Sequence, residues 1–313
     1  MGTVNWEYDD DFRVLTEKVA DSTITLGYTD DLLTGAGALI ITRDPSNGMI
    51  KGTTLGSVTT SVTPNNFGET TLLHAAFPSN TVDFGFIQDK LGRITQKTET
   101  INGTSTTYKY WYDLAGRLTD VCVNGYWKTH YGYDDNSNRT LKRQCAANIA
   151  CPTSQPSTPC STGTDVTGTY DNQDQMNAYG ITTYGYTLSG ELLSKTVNNQ
   201  TTNYNYDVFG NLRSVILPGG NRIDYIIDGR NRRIGKKVNS VLTQGFLYDG
   251  QLRIVAELDG SGILKSRFVY GTKVNVPEYM IQGGVTYRII TEQLGRPRFV
   301  VNASTGAIAQ QMN

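Results

Sequence analysis

The nine residues YWYDLAGRL at positions 110–118 decide the fold, because copies of them recur along the chain. Two close copies are YGYDDNSNR at 131–139 and YNYDVFGNL at 204–212. Weaker copies begin at positions 86, 184, 225 and 246, and a truncated copy begins at position 6. The Asp residues of adjacent copies lie 21 to 24 positions apart. A fixed period of this length indicates a repeat protein.

Each copy predicts a β-hairpin. The two aromatic residues of Tyr-x-Tyr point to one face of a strand, because side chains alternate with a period of two. Asp followed three positions later by Gly suits a type I turn, in which Gly takes the left-handed conformation. A second turn signal, such as Asn102-Gly103 or Asn124-Gly125, follows about eight residues later. We therefore predict an all-β fold, a long antiparallel meander whose tyrosines stack between neighbouring strands.

The candidate site residues belong to the repeat and to one cysteine-rich stretch. The predicted turn residues are Asp89, Gly92, Asp113, Gly116, Asp134, Asp207, Gly210, Asp228 and Asp249. The predicted repeat aromatics are Tyr110, Tyr112, Tyr131, Tyr133, Tyr184, Tyr186, Tyr204, Tyr206, Tyr225 and Tyr248. Cys145, Cys151 and Cys160 are candidates for a local disulfide, with free thiols as the alternative. Cys122 stands apart from these three on a strand-like segment.

The spacing of the repeats predicts four regions. Residues 1–80 form repeat-like hairpins, 81–140 carry YD-type repeats, 141–168 are a Cys- and Pro-rich insertion loop, and 169–313 resume the repeats. The insertion widens the gap between Asp134 and Asp171 to 37 residues. The first residues lack the basic and apolar segments of a secretory signal.

Composition argues against several classes of function. The 28 basic and 29 acidic residues give a net charge of −1, without the basic surplus of a nucleic-acid binder. No segment approaches the ~20 apolar residues of a membrane helix, so we expect no membrane insertion. His74 and His130 have no carboxylate or Cys close in sequence with which to form a catalytic unit. The repeated Asp residues are explained by turns rather than by a glycosidase pair. We therefore expect no enzyme activity, no metal and no cofactor.

The motif Tyr-x-Tyr-Asp-x-x-Gly-Arg-Leu at this period resembles the YD repeats of the Rhs and teneurin proteins, over residues 6–300. Residues 32–56 and 287–301 also resemble the family's segments before the repeats and at the start of the Rhs core. The resemblance implies a meander that curls into an open β-shell, a partial cage or spiral barrel. In bacterial members such a shell encloses a toxic C-terminal polypeptide, and in teneurins it is a rigid extracellular module.

Self-cleaving family members carry an Asp-Pro-x-Gly motif after their last repeats. Here Asp44-Pro45 lies in a different context, and residues 311–313 are reached before any such motif. The resemblance therefore implies a segment of a larger shell, and it assigns no autoproteolytic residue.

These observations lead to one expected function and two alternatives. We expect a non-enzymatic shell segment that scaffolds or encapsulates a C-terminal effector or toxin in a bacterial secreted or cell-surface protein. The first alternative is an extracellular adhesion module that binds a cell-surface protein or glycan through Trp6, Trp111 and Trp127. The second is a structural protein that self-associates through unpaired strand edges.

Overall fold

The computed structural model describes residues 2–312, which form 29 β-strands and no helix. The first ten strands are β1 Val4–Tyr8, β2 Val14–Val19, β3 Ser22–Thr29, β4 Leu32–Ala36, β5 Leu39–Arg43, β6 Ile50–Leu55, β7 Val58–Pro64, β8 Thr70–Phe77, β9 Asn80–Gln88 and β10 Ile94–Ile101. The next ten are β11 Thr104–Tyr112, β12 Leu118–Val123, β13 Tyr126–Tyr133, β14 Arg139–Cys145, β15 Gly163–Tyr170, β16 Met176–Tyr179, β17 Thr182–Tyr186, β18 Leu192–Val197, β19 Gln200–Tyr206 and β20 Leu212–Ile216. The last nine are β21 Arg222–Ile227, β22 Arg233–Val238, β23 Val241–Asp249, β24 Arg253–Asp259, β25 Leu264–Val269, β26 Tyr279–Gln282, β27 Val285–Thr291, β28 Pro297–Asn302 and β29 Ile308–Gln311.

Strands that follow one another in sequence pair antiparallel. This holds from β1 through β9, from β11 through β21 and from β22 through β29. The predicted all-β antiparallel meander is confirmed. Within the described residues, no helix is long and apolar enough to span a membrane.

A register shift recurs at the last tyrosine before each repeat turn. In the β11–β12 pair, Tyr110 lies opposite Val121, and the register shifts between Trp111 and Tyr112. The same shift occurs at Tyr8, Tyr28, Tyr133, Tyr170, Tyr186, Tyr206 and Tyr248. A bulge of this kind increases the local twist and re-aims a side chain.

The chain divides into two compact units. Unit 1 contains the described residues up to Gly85, Thr100–Thr104 and those from Tyr225 onward. Unit 2 contains Phe86–Glu99 and Ser105–Asp224.

Unit 1 is held together by contacts between residues far apart in sequence. Tyr279 is 1% exposed and donates its hydroxyl to the carbonyl of Ala36 at 3.1 Å. It lies in one apolar cluster with Ile24, Leu39 and Val269. The C-terminal strands of the unit thus bury apolar surface against its N-terminal hairpins, which is the main favourable term in folding.

In unit 2, one apolar cluster surrounds the cysteines. Cys122, Cys145 and Cys160 are buried together with Trp127, and Trp111 packs against them. Within the predicted insertion 141–168, only residues 146–162 lack regular strands, because its ends belong to β14 and β15. The division into four regions stays a prediction.

Candidate functional site: repeat turns and the disulfide loop

The carboxylate of a repeat Asp accepts hydrogen bonds from its own turn, as Asp89 shows. Asp89 Oδ1 accepts hydrogen bonds from the backbone N–H groups of Leu91 at 2.9 Å and Arg93 at 3.0 Å. Arg93 Nε donates to Asp89 Oδ2 at 2.7 Å. The hydrogen bond from the Arg93 side chain is the largest cause that lowers the pKa of Asp89 below its ordinary value of 3.8. Gly92 completes the turn with a φ of +76°, which a residue without Cβ adopts at little cost.

The Arg of one turn also contacts the Tyr of the next. The Arg93 guanidinium lies over the ring of Tyr112, 4.8 Å from its centroid. The Tyr112 hydroxyl donates to the carbonyl oxygen of Ile94 at 2.7 Å. We call this set of Asp89, Arg93 and Tyr112 an inter-repeat clamp, because it ties one turn to the strand that enters the next.

The clamp recurs along the chain. Arg guanidinium groups lie over tyrosine rings at centroid distances of 4.8 to 5.8 Å in the pairs Arg13–Tyr28, Arg117–Tyr133, Arg232–Tyr248 and Arg253–Tyr270. In each pair the tyrosine hydroxyl donates to a main-chain carbonyl. The residue that carries this carbonyl lies five positions after the Asp of the preceding turn. Cation–π contacts of this kind contribute about 0.5–1 kcal/mol each at exposed sites.

Burial changes the acidity of the clamp tyrosines. Desolvation raises the pKa of Tyr112 and raises that of Tyr270 to about 12. The neutral phenol is favoured because burial penalises the phenolate and because its proton is used in the hydrogen bond to a carbonyl. The clamps therefore hold their tyrosines in the neutral, donating form at physiological pH.

Two disulfides hold the loop of residues 146–162. Cys145 pairs with Cys160, and Cys151 pairs with Cys122 on β12. The loop also lies against the turn and start of β13, where Trp127 N–H donates to the Ile149 carbonyl at 2.8 Å. Sequence reasoning missed Cys122, since nothing in its sequence spacing shows that the loop returns across β12.

Both histidines contact a carboxylate that sequence reasoning did not assign to them. His74 Nδ1 lies 2.6 Å from Asp83 Oδ1, and His130 Nδ1 lies 2.8 Å from Asp120 Oδ1. Sequence reasoning missed these contacts because antiparallel pairing places residues nine or ten positions apart face to face. Asp120 is fully buried and also accepts a hydrogen bond from Trp127 Nε1 at 3.0 Å.

The family model of the teneurin YD-shell matches residues 2–313, which is nearly the whole chain. The chain belongs to the teneurin YD-shell family. Its YD-shell fold supports a structural, shell-forming role and suggests a non-catalytic scaffold.

Solved structures with a similar fold come from Tc toxins. A structure of the Photorhabdus luminescens Tc holotoxin pore with a mutated TccC3 has a TM-score of 0.72 and 12% identity, covering 99% of this chain and 17% of that one. The TcdB2–TccC3 crystal structure has a TM-score of 0.72 and 14% identity, covering 98% and 18% of the two chains. At these identities the likeness shows the fold alone. The YD-shell chain spans less than a fifth of the length of these structural relatives. A search of curated proteins finds no match.

The predicted YD turn residues occupy turns, with some variation in their partners. Asp113 and Asp228 each bond the Arg four residues later. At Asp134 and Asp207 this position is an Asn, whose side-chain amide donates to the carboxylate. Asp249 ends β23 and pairs with Arg253 at 3.2 Å. Gly116 and Gly210 have φ values of +82° and +77°.

The predicted repeat tyrosines all lie on strands, namely β11 for Tyr110 and Tyr112, β13 for Tyr131 and Tyr133, β17 for Tyr184 and Tyr186, β19 for Tyr204 and Tyr206, β21 for Tyr225 and β23 for Tyr248. The sequence predicts stacking between tyrosines of neighbouring strands. In the described residues, Tyr112, Tyr133 and Tyr248 instead lie under guanidinium groups.

Other turns of the same geometry lack the full motif. Sequence reasoning predicted the turn at Asp259 from Asp259-Gly260-Ser261-Gly262 and missed those at Asn65 and Glu292. Asn65, Asp259 and Glu292 each accept, through the main-chain carbonyl, a hydrogen bond from the glycine three residues later. The signal that identifies them is the spacing to Gly68, Gly262 and Gly295. In the described residues no group of three or more His, Cys, Asp or Glu side chains is arranged to hold a metal ion.

Proposed function

We propose that this chain is a stretch of shell wall that scaffolds or encloses a C-terminal effector polypeptide in a bacterial secreted or cell-surface protein. The match of the YD-shell family over residues 2–313 carries this proposal. The fold neighbours support it, since they belong to a Tc holotoxin and to TcdB2–TccC3. A wall needs no catalytic group. It needs strands that are joined firmly along its length, and the inter-repeat clamps provide such joints.

The cysteines support a location outside the reducing cytosol. All four are in disulfides, and disulfides form and persist mainly in oxidising compartments. In such a compartment the two disulfides would hold the loop of residues 146–162 in its conformation without help from a strand partner.

Protease protection tests the proposal on the protein as its organism makes it. We expect the polypeptide that follows the wall to resist protease in the native protein and to be cut within minutes after mild denaturant opens the wall. Mass spectrometry of the fragments locates the cuts. A following segment that is cleaved in the native protein as fast as the same segment alone contradicts enclosure, as does a native product with no such segment.

A further inference from the structure

Unit 1 contains a cleft of ≈ 530 Å³ that the shell-forming role does not use. One wall is the shared face of β1 to β4, with Trp6, Tyr8 and Tyr28. The other wall is the β23–β24 turn and the segment after β25, with Asp249, Arg253 and Tyr270. Its volume lies within the range of about 300–1,000 Å³ that is usual for small-molecule sites.

Two aromatic side chains of this cleft are available for contact. Trp6 and Tyr8 on β1 both line the cleft, and they are 37% and 56% exposed. Within residues 2–312, neither Trp6 Nε1 nor the Tyr8 hydroxyl has a hydrogen-bond partner. Each ring therefore offers an apolar face beside an unused polar atom, a combination suited to an amphipathic ligand.

The other aromatic residues of the cleft are fixed in place by the clamps. Tyr28 and Tyr270 donate their hydroxyls to the carbonyls of Val14 at 3.1 Å and Ile254 at 2.9 Å. The cleft is thus preorganised, and ordering it on binding costs little free energy.

The two carboxylates that line the cleft are already paired with arginines. Asp249 pairs with Arg253 at 3.2 Å, and Glu17 pairs with the buried Arg267 at 2.5 Å. The Lys273 ammonium donates to Thr291 Oγ1 at 2.6 Å, a neutral acceptor that leaves the positive charge in place. A cationic ligand would have to displace one of the two arginines, and the comparison with polygalacturonate below tests for an anion at Lys273. An uncharged ligand with hydroxyl groups instead adds hydrogen bonds to Asp249 as acceptor and Arg253 as donor.

We propose that this cleft binds a neutral glycan, with pyranose rings stacked on Trp6 and Tyr8 and hydroxyls bonded to the Asp249–Arg253 pair. A peptide bound at the same residues is the competing outcome of the test.

Calorimetric titration of the intact protein with cellohexaose, chitohexaose and maltohexaose tests the site. We expect at least one to bind with a Kd between about 10 µM and 1 mM, which corresponds to the modest affinity of a shallow, preformed site. Trp6→Ala and Tyr8→Ala are each expected to weaken that binding at least tenfold. The matched control is Tyr126→Ala, which removes an aromatic ring that is 44% exposed outside the cleft and should leave Kd unchanged.

The proposal is overturned if none of the three sugars binds at 10 mM, or if the cleft variants bind as well as the parent. Tighter binding of polygalacturonate or of a peptide at the same residues also overturns it. If Trp6→Ala does not fold, as judged by its thermal midpoint, Tyr8→Ala alone decides the outcome. If the native protein binds the sugar but gives no protease protection to a following polypeptide, the proposed function is contradicted and this site is not.

Discussion

At the scale of single residues, the YD motif links each turn to the next one. Its Asp closes a turn, its Arg bonds that Asp, and the Arg then covers the Tyr that enters the following turn. The sequence predicted the first of these roles, because Asp and Gly in turns act locally. It did not predict the contact between Arg and Tyr, because that contact requires two paired strands to lie side by side.

Arg117→Ala tests the energetic weight of one clamp. The change removes the ion pair to Asp113 at 2.6 Å, the hydrogen bond to the Asp134 carbonyl at 3.0 Å and the contact over Tyr133. We expect a loss of about 2 kcal/mol in the free energy of unfolding, from the charge-assisted hydrogen bonds and the cation–π contact together. Urea unfolding followed by circular dichroism measures it.

The matched control is Arg213→Ala. Arg213 Nη1 lies 3.7 Å from Asp207, and its side chain is 49% exposed, so we expect a change of no more than about 0.5 kcal/mol. Equal losses in the two variants would show that the clamp geometry adds nothing to an ordinary surface ion pair.

The clamp tyrosines also predict how stability depends on pH. Tyr270 has a folded pKa of about 12, above its unfolded value of 10.0. Its contribution is therefore complete below pH 10 and is lost as pH rises through 12. We expect the thermal midpoint to fall across this window and to fall less in Tyr270→Phe. Tyr126→Phe, on an exposed ring, is the control, and an identical slope in both variants would contradict the assignment.

At the scale of elements, period-two alternation and turn residues predicted the hairpins well. The second turns at Asn102-Gly103 and Asn124-Gly125 are tight, and both asparagines have a φ of +49°. Turns in which another acceptor replaces Asp, as at Asn65, were harder to predict from sequence. Several kinds of side chain can accept hydrogen bonds from the same backbone N–H groups.

Reduction of the disulfides tests the loop of residues 146–162. Its backbone has few partners in the sheet, so the two bridges hold it in place. Loss of Cys145–Cys160, which closes a separation of 15 residues, is expected to cost about 3 kcal/mol. Residues 146–162 contain no Lys, Arg, Leu, Met or aromatic residue, so trypsin and chymotrypsin have no site there. Dithiothreitol should therefore make the loop the first site of cleavage by proteinase K, a protease of broad specificity, as mapped by mass spectrometry.

A Cys145→Ser/Cys160→Ser double variant should show the same cleavage without reductant, and this serves as the positive control. First cleavage elsewhere, for example in the β18–β19 hairpin, would contradict the view that the bridges are the loop's main restraint.

At the scale of the whole molecule, sequence predicted which strands are neighbours but not which distant strands meet. Ser57 Oγ donates to the Ala303 carbonyl at 2.9 Å, and Arg288 Nη2 donates to Thr53 Oγ1 at 3.0 Å. These pairs are separated by more than 230 residues. The repeat motif carries no signal for them, because every copy encodes the same local hairpin.

Glu17→Ala tests the importance of these distant contacts in unit 1. Glu17 pairs with Arg267, which is 1% exposed, so its removal leaves a buried guanidinium without its counter-charge. We expect a loss of about 3–5 kcal/mol. Hydrogen exchange should show reduced protection in both β2 and β25.

Glu7→Ala is the control, since Glu7 is exposed and its side chain accepts one hydrogen bond from Thr16 at 2.9 Å. An effect confined to β2 in the Glu17 variant would mean that the two ends of unit 1 are not energetically coupled.

The candidate sites also divide into those encoded within a short stretch of sequence and those formed by residues far apart in sequence. The repeat turns were predictable because each is encoded within five residues. The disulfide to Cys122, the His130–Asp120 pair and the cleft at Trp6 were not, because they depend on which strands and loops meet in space.

The most direct test of the account is a cryo-electron microscopy reconstruction of the native protein that contains this chain. We predict a continuous wall of antiparallel strands, joined by Asp–Arg–Tyr clamps at its turns, around a lumen that contains density for a further polypeptide. A solid β-domain without a lumen, or a lumen that is empty in the intact protein, would contradict the proposed role as the wall of an effector-enclosing shell.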